Sequence, residues 1–180
     1  MFRAVTLRGL FRALAMIQKK ICLLGSFGVG KTSLVSRFVH STFSEKYLST
    51  VGVKIDRKDV ALDGQEVRLM VWDIHGQDEF QEVRKSYLRG MAGYLLVVDG
   101  TRPETLSVAM ELHQLATDAV GNVPFVILLN KSDLEEHWQL DDKRLGDMID
   151  KDWVVSKTSA KTGENVEEMF ANLAGRIVSS

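Results

Sequence analysis

GSFGVGKTS, Gly25 to Ser33, follows an apolar run, Ile21-Cys22-Leu23-Leu24, and precedes a stretch with apolar residues at Leu34, Val35 and Phe38. The run before it reads as a buried strand and the stretch after it as a helix. Glycines at 25 and 30 let a loop wrap so that successive backbone N–H groups point inward. The helix that follows presents unpaired N–H groups and the positive end of its dipole, both of which favour an anion. Gly25-x-x-x-x-Gly30-Lys31-Thr32 is the spacing of a phosphate-binding P-loop, in the strand–loop–helix context that such a loop requires. Lys31 is placed to reach the β- and γ-phosphates, and the Thr32 hydroxyl to take Mg²⁺. A glycine-rich turn with an incidental Lys-Thr is the plain alternative, and the flanking strand and helix argue against it. The loop alone implies a nucleoside triphosphate without saying which one, and it leaves the bulky Phe27 to be explained.

Outward from this loop, apolar runs alternate with amphipathic stretches. IQKKICLLG, GYLLVVD and VPFVILLN read as strands buried on both faces. VGVKIDRKDVAL and QEVRLMVWD flank Asp63-Gly64, a dipeptide suited to a tight hairpin turn, so one strand is antiparallel. PETLSVAMELHQLATDAV has helical periodicity, with Pro103 suited to its start. Asp141 to Asp150 is expected to form a short helix, WVVS a short last strand, and Glu164 to Val178 a final helix. The expected fold is α/β: a six-stranded, mostly parallel sheet with one antiparallel strand and helices on both faces.

The bulk composition is ordinary for one soluble domain: 180 residues, 45% hydrophobic, 26% charged, net charge −1. This balance gives no reason to expect a nucleic-acid partner. The single cysteine, Cys22, rules out an internal disulfide and fits a reducing, cytoplasmic setting. No apolar run approaches the roughly 20 residues of a membrane span. Residues 1–15, MFRAVTLRGLFRALA, carry Arg3, Arg8 and Arg12 and no acid. They read as a flexible leader, a targeting peptide or a basic amphipathic contact with a membrane surface. The expected division is a leader over 1–16 and one nucleotide-binding domain over 17–180.

NKSD, Asn130 to Asp133, ends the strand VPFVILLN at the carboxyl edge of the sheet, where open α/β sheets bind ligands. A carboxylate only accepts hydrogen bonds, and guanine offers two donors, N1–H and its amino group. Adenine presents an acceptor at N1, so Asp133 selects guanine. WDIHGQDEF follows the second hairpin strand. Its Asp73 is placed to approach Mg²⁺ through a water, Gly76 to offer its N–H to a γ-phosphate, and Gln77 to orient the attacking water.

With these motifs in this order, the chain resembles a small GTPase of the Ras superfamily, a P-loop NTPase with a Ras-like G domain, closest to the Rab group. The resemblance covers nearly all of Ile17 to Val178, through GSFGVGKTS, YLSTVGV, WDIHGQDEF, NKSD and TSAK. It implies that Gly25, Phe27, Gly28, Val29, Gly30, Lys31, Thr32 and Ser33 surround the phosphates. It makes Thr50 the switch threonine on Mg²⁺ and the γ-phosphate, lays Tyr47 over the phosphates and stacks Phe43 near the guanine. Asn130, Lys131 and Asp133 with Ser159, Ala160 and Lys161 would hold the base. For Phe43 and Tyr47 ordinary loop anchoring stays open, and for Trp72 packing on the hairpin face. SYLRGMAGYLLVVDGTRPETL is similar to bacterial Rab-like proteins.

The departures matter too. Phe27 stands where the family usually carries a small residue. Ile74 and His75 replace the common Thr-Ala of the DTAGQ pattern, and His75 is expected to be a solvated switch residue. The ending GRIVSS offers no cysteine for a prenyl anchor. The implied function is a GTP/GDP switch with Mg²⁺ as cofactor and slow hydrolysis carried by Gln77, Lys31, Thr50 and Gly76. Effector, exchange and activating proteins would meet Phe43–Gly52 and Asp73–Tyr87. The rival is a GTP-loaded interaction module with little or no hydrolysis.

Overall fold

The computed structural model describes residues 16–46, 50–62, 64–76, 83–140, 143, 145–146 and 152–180. The leader over 1–15, Tyr47, Asp63 and Gln77 lie outside the described residues, as does most of the helix expected over 141–150. Lys143, Leu145 and Gly146 from that stretch are helical.

Six strands form one sheet: β1 (Ile17–Leu24), β2 (Val53–Leu62), β3 (Gln65–Ile74), β4 (Gly93–Asp99), β5 (Phe125–Asn130) and β6 (Val155–Lys157), in the order β2-β3-β1-β4-β5-β6. The hairpin pair β2 and β3 is antiparallel, with Val53 opposite Ile74 and Leu62 opposite Gln65, and every other pair is parallel. Among the described residues, four α-helices with complete bounds pack on this sheet: α1 (Lys31–His40), α2 (Lys85–Leu88), α3 (Glu104–Val120) and α4 (Val166–Ser179).

Period-two alternation along the strands builds two cores. Ile21 and Leu23 of β1, Leu95 and Val97 of β4, and Val126 and Leu128 of β5 face one side. There they meet Leu34, Val35 and Phe38 of α1 and the stripe Val166, Met169, Phe170, Leu173 and Ile177 of α4. The rings of Phe38 and Phe170 stack with centroids 3.9 Å apart. Cys22, Leu24, Tyr94, Leu96, Val98, Ile127 and Leu129 face the other side, against Leu106, Ala109, Leu112 and Ala116 of α3. The three-and-four spacing of the helical residues is what a helix needs to bury one stripe. All of β4 is buried, which is why it reads as an unbroken apolar run.

Several boundaries differ from the sequence reading by one or two residues, among them the starts of α4 and β6. α4 begins at Val166 because Asn165 takes a left-handed backbone, φ 54°, which is not helical geometry. β6 begins at Val155 rather than Trp153, where pairing with Ile127 of β5 starts.

The topology places the site. The helix after β1 covers one face and the helix after β4 the other. The chain therefore diverges at the carboxyl ends of these neighbouring strands and leaves a crevice there. Gly25, Asp73, Asp99 and Asn130 all stand at strand ends on this edge.

Candidate functional site

A cavity of about 390 Å³ opens at this edge. Its wall includes Phe27, Gly28, Gly30, Lys31, Thr32, Ser33, Phe43, Thr50, Gly76, Asn130, Lys131, Asp133, Ala160 and Lys161. Sequence motifs separated by more than a hundred residues therefore meet around one space. Gly25, Val29 and Ser159 are buried behind the wall. Ser36, Ser44, Glu45, Lys46 and Leu134 also line the cavity, and no motif pointed to them.

At one end, Lys31 is 6% exposed, and its ammonium donates to the Gly25 carbonyl at 3.0 Å and the Ser26 carbonyl at 2.9 Å. Burial brings its pKa down to about 8, opposed by the nearby Asp73 carboxylate and reinforced by Arg102. The loop thus holds a cation that has lost most of its water, and an arriving anion restores what burial removed.

Beside it, the Thr32 hydroxyl donates to Asp73 Oδ2 at 2.6 Å, the Thr50 hydroxyl does so at 3.3 Å, and the two hydroxyls are 2.8 Å apart. Asp73 is 1% exposed. Burial raises its carboxyl above the usual range, against the hydrogen bond from Thr32, the charge of Lys31 and the bond from Thr50. Its other oxygen, Oδ1, is buried with no hydrogen-bond partner among the described residues. Two hydroxyls and a carboxylate with an unused oxygen suit a hard divalent cation that takes oxygen ligands.

At the far end, Asn130 is a buried brace. Its amide donates to the Val29 carbonyl at 2.9 Å, and its oxygen accepts the Ala160 N–H at 3.2 Å. It ties the glycine loop to the TSAK loop. Gly30 is required where they touch, since a Cβ there would stand 2.3 Å from the Asn130 amide nitrogen. Ser159 donates to Asp133 Oδ1 at 2.5 Å and so orients that carboxylate. Arg37, on α1, donates to the Ala160 carbonyl at 2.8 Å and also to the Lys161 carbonyl. No local pattern flags Arg37, because its partners are 123 and 124 residues away.

Phe27 lies on the cavity wall and is 40% exposed. Its backbone packs against Gly76, where a Cβ would come within 2.3 Å of the Phe27 Cα. The expectation of a solvated His75 is corrected. His75 is 7% exposed, its N–H donates to the Gly52 carbonyl at 3.0 Å, and its Nδ1 is 3.1 Å from the same oxygen. The ring meets Tyr87 edge-on. It is buried because the end of β3 lies against the segment that precedes β2. Phe43 lines the cavity and packs against the core under α1 and α4, so anchoring and a place on the cavity wall go together here.

No helix among the described residues is long and apolar enough to cross a membrane. Comparison with known protein families matches residues 20–179 to the Ras family.

Proposed function

The chain belongs to the Ras family, and from that premise we propose that it is a Rab-like, cytoplasmic switch whose GTP hydrolysis is slow. As a small GTPase of this family it binds guanine nucleotide, hydrolyses GTP and alternates between GTP and GDP forms. Trp72, just before Asp73, supports the Rab-like assignment.

In this reading the N–H groups of the Gly25–Ser33 loop and the ammonium of Lys31 hold the phosphates. Asp133, oriented by Ser159, accepts the two guanine donors, and Asn130 keeps the base and phosphate loops in register. The unused oxygen of Asp73 and the hydroxyls of Thr32 and Thr50 support Mg²⁺ as cofactor. Mg²⁺, when bound, supplies positive charge against the phosphate oxygens. Gly76 would offer its N–H to the γ-phosphate, and Gln77 would orient the water. Release of Thr50 and Gly76 after hydrolysis would alter Phe43–Gly52 and Asp73–Tyr87, the surfaces proposed for effector, exchange and activating proteins.

The observation that carries slow hydrolysis is Phe27 on the cavity wall against Gly76. Phosphoryl transfer depends on positioning and charge, and an arginine brought by an activating protein typically contributes about 10³–10⁵ in rate. A phenyl ring brings no charge and takes up room that a guanidinium or the water needs. Phe27→Gly is expected to speed single-turnover GTP hydrolysis severalfold or more, with GDP affinity nearly unchanged. Equal rates for the two proteins would overturn the reading.

A further inference from the structure

Asp99, the last residue of β4, has no exposed surface, yet its carboxylate is fully engaged. Oδ1 accepts the Thr101 N–H at 2.9 Å and the Thr101 hydroxyl at 2.7 Å. Oδ2 accepts Arg102 Nε at 3.0 Å and lies 2.6 Å from Lys131 Nζ. Four donors use the whole accepting capacity of a carboxylate. Burial by itself raises the Asp99 carboxyl, but the bonds from Lys131, Thr101 and Arg102 outweigh it and hold it below the usual range. Lys131 belongs to the base motif. Arg102 reaches the other way: its Nη2 donates to the Phe27 carbonyl at 2.8 Å.

We infer that Arg102 is a positioning residue for the phosphate loop, fixing the Phe27–Gly28 peptide from an anchor, Asp99, that it shares with Lys131 of the base loop. The inference rests on the proposal that the Gly25–Ser33 loop holds phosphates. The peptide unit is planar and trans, so its C=O and N–H point to opposite sides. Gly28 is in the cavity wall and Arg102 is outside it. With the Phe27 carbonyl held outward by Arg102, the Gly28 N–H is turned toward the cavity. A flipped peptide would aim a carbonyl oxygen at a phosphate instead. Arginine suits this task because its rigid fork bonds a carboxylate with one nitrogen and a carbonyl with another. The ammonium of a lysine is one compact point on a flexible stem, and it does not hold both partners in that geometry.

The test compares GDP with GMP, which lacks the terminal phosphate, by competition binding to the full chain. Arg102→Ala is expected to weaken GDP about ten- to hundredfold, the loss typical of one charge-assisted hydrogen bond, while GMP changes by no more than about threefold. Arg102→Lys keeps a cation beside Asp99. It should restore thermal stability toward wild type without restoring the GDP-to-GMP ratio. If Arg102→Ala fails to fold, Arg102→Lys carries the same comparison. Asp99→Asn, which loosens both Arg102 and Lys131, should weaken GMP as well as GDP.

Unchanged GDP affinity in the Arg102 variants, or equal losses for GDP and GMP, would overturn the positioning role. An Asp99→Asn protein with wild-type GMP affinity would overturn the shared anchor. Lys31→Ala measured alongside separates the two levels. If it collapses the GDP-to-GMP ratio and Arg102→Ala does not, the inference fails alone. If it leaves the ratio intact, the phosphate reading beneath it fails too.

Discussion

The two ends of the cavity are built on different principles. At the base end, Asn130 bonds to Val29 and Ala160, Ser159 bonds to Asp133, and Arg37 bonds to the carbonyls of Ala160 and Lys161. Most of these bonds run from a side chain to backbone across a hundred residues or more, and they hold a shape. At the phosphate end, the groups that carry chemistry lean on one another. Lys31 bonds to the carbonyls of its own loop, Thr32 and Thr50 bond to Asp73, and Asp73 keeps a buried oxygen without a partner among the described residues. The end proposed for the base is a template held in shape by bonds between distant segments. The phosphate end is a set of charges and hydroxyls whose present partners a phosphate or a cation is able to replace. That division suits a switch, in which base contacts stay constant while phosphate contacts change.

The largest effect is expected at the phosphate end. Lys31→Ala removes a buried ammonium, and hydrogen bonds to charged groups contribute about 1.5–3 kcal/mol each, so two such bonds to phosphate oxygens predict a loss of GDP affinity of at least about a hundredfold. Titration with GDP measures it, and a loss smaller than that of the base-end variant would invert the comparison.

Next is Asp133→Asn, which exchanges an acceptor for a donor against guanine. GDP affinity should fall more than about tenfold, and discrimination against xanthine, whose C2 oxygen accepts, should relax. Unchanged GDP affinity would remove Asp133 from the template.

Thr32→Asn comes third. With Mg²⁺ present it should weaken GTP by about tenfold and GDP by less, because the hydroxyl would help to hold a cation whose charge offsets that of the terminal phosphate. Equal losses in the two titrations would separate Thr32 from the metal.

The smallest effect lies at the opposite edge of the sheet. There the His113 Nδ1 is 2.8 Å from the Tyr94 hydroxyl, and its ring packs with Phe125 and Trp153. Burial lowers the His113 pKa below its ordinary 6.5. The unfolded chain therefore takes up the proton first as pH falls. The His113 contribution to stability is fully present above about 6.5 and is lost on acidification toward the folded value. His113→Phe should flatten the acid side of the melting-temperature profile modestly and leave GDP affinity unchanged. A shift in GDP affinity would show that this edge is not independent of the site.

Much of this architecture was legible before folding was considered. The interval from Lys31 to His40 was readable as a helix because its apolar residues recur on one face and a glycine loop precedes it. β4 and β5 were readable because strands buried on both faces show unbroken apolar runs. The Asp63-Gly64 turn announced the antiparallel pair through backbone chemistry confined to two residues, and Gly64 has φ 79°. His75 was misjudged because burial depends on what the rest of the chain lays over a residue, and the Gly52 carbonyl that satisfies it arrives from a separate segment.

Local chemistry is thus what the sequence determined by itself: most of the strand and helix intervals, the glycine loop with the spacing of a phosphate-binding loop, and the carboxylate proposed to choose guanine. Each of these depends on residues within a few positions of one another, where spacing and side-chain type carry the information. Tertiary structure alone decided how Phe27 lies against Gly76, how Arg37 supports the base loop and how Asp99 joins Arg102 to Lys131. These arrangements bring together segments tens to more than a hundred residues apart and leave no periodic trace, because their geometry depends on distances that exist only once the sheet has brought its strand ends together.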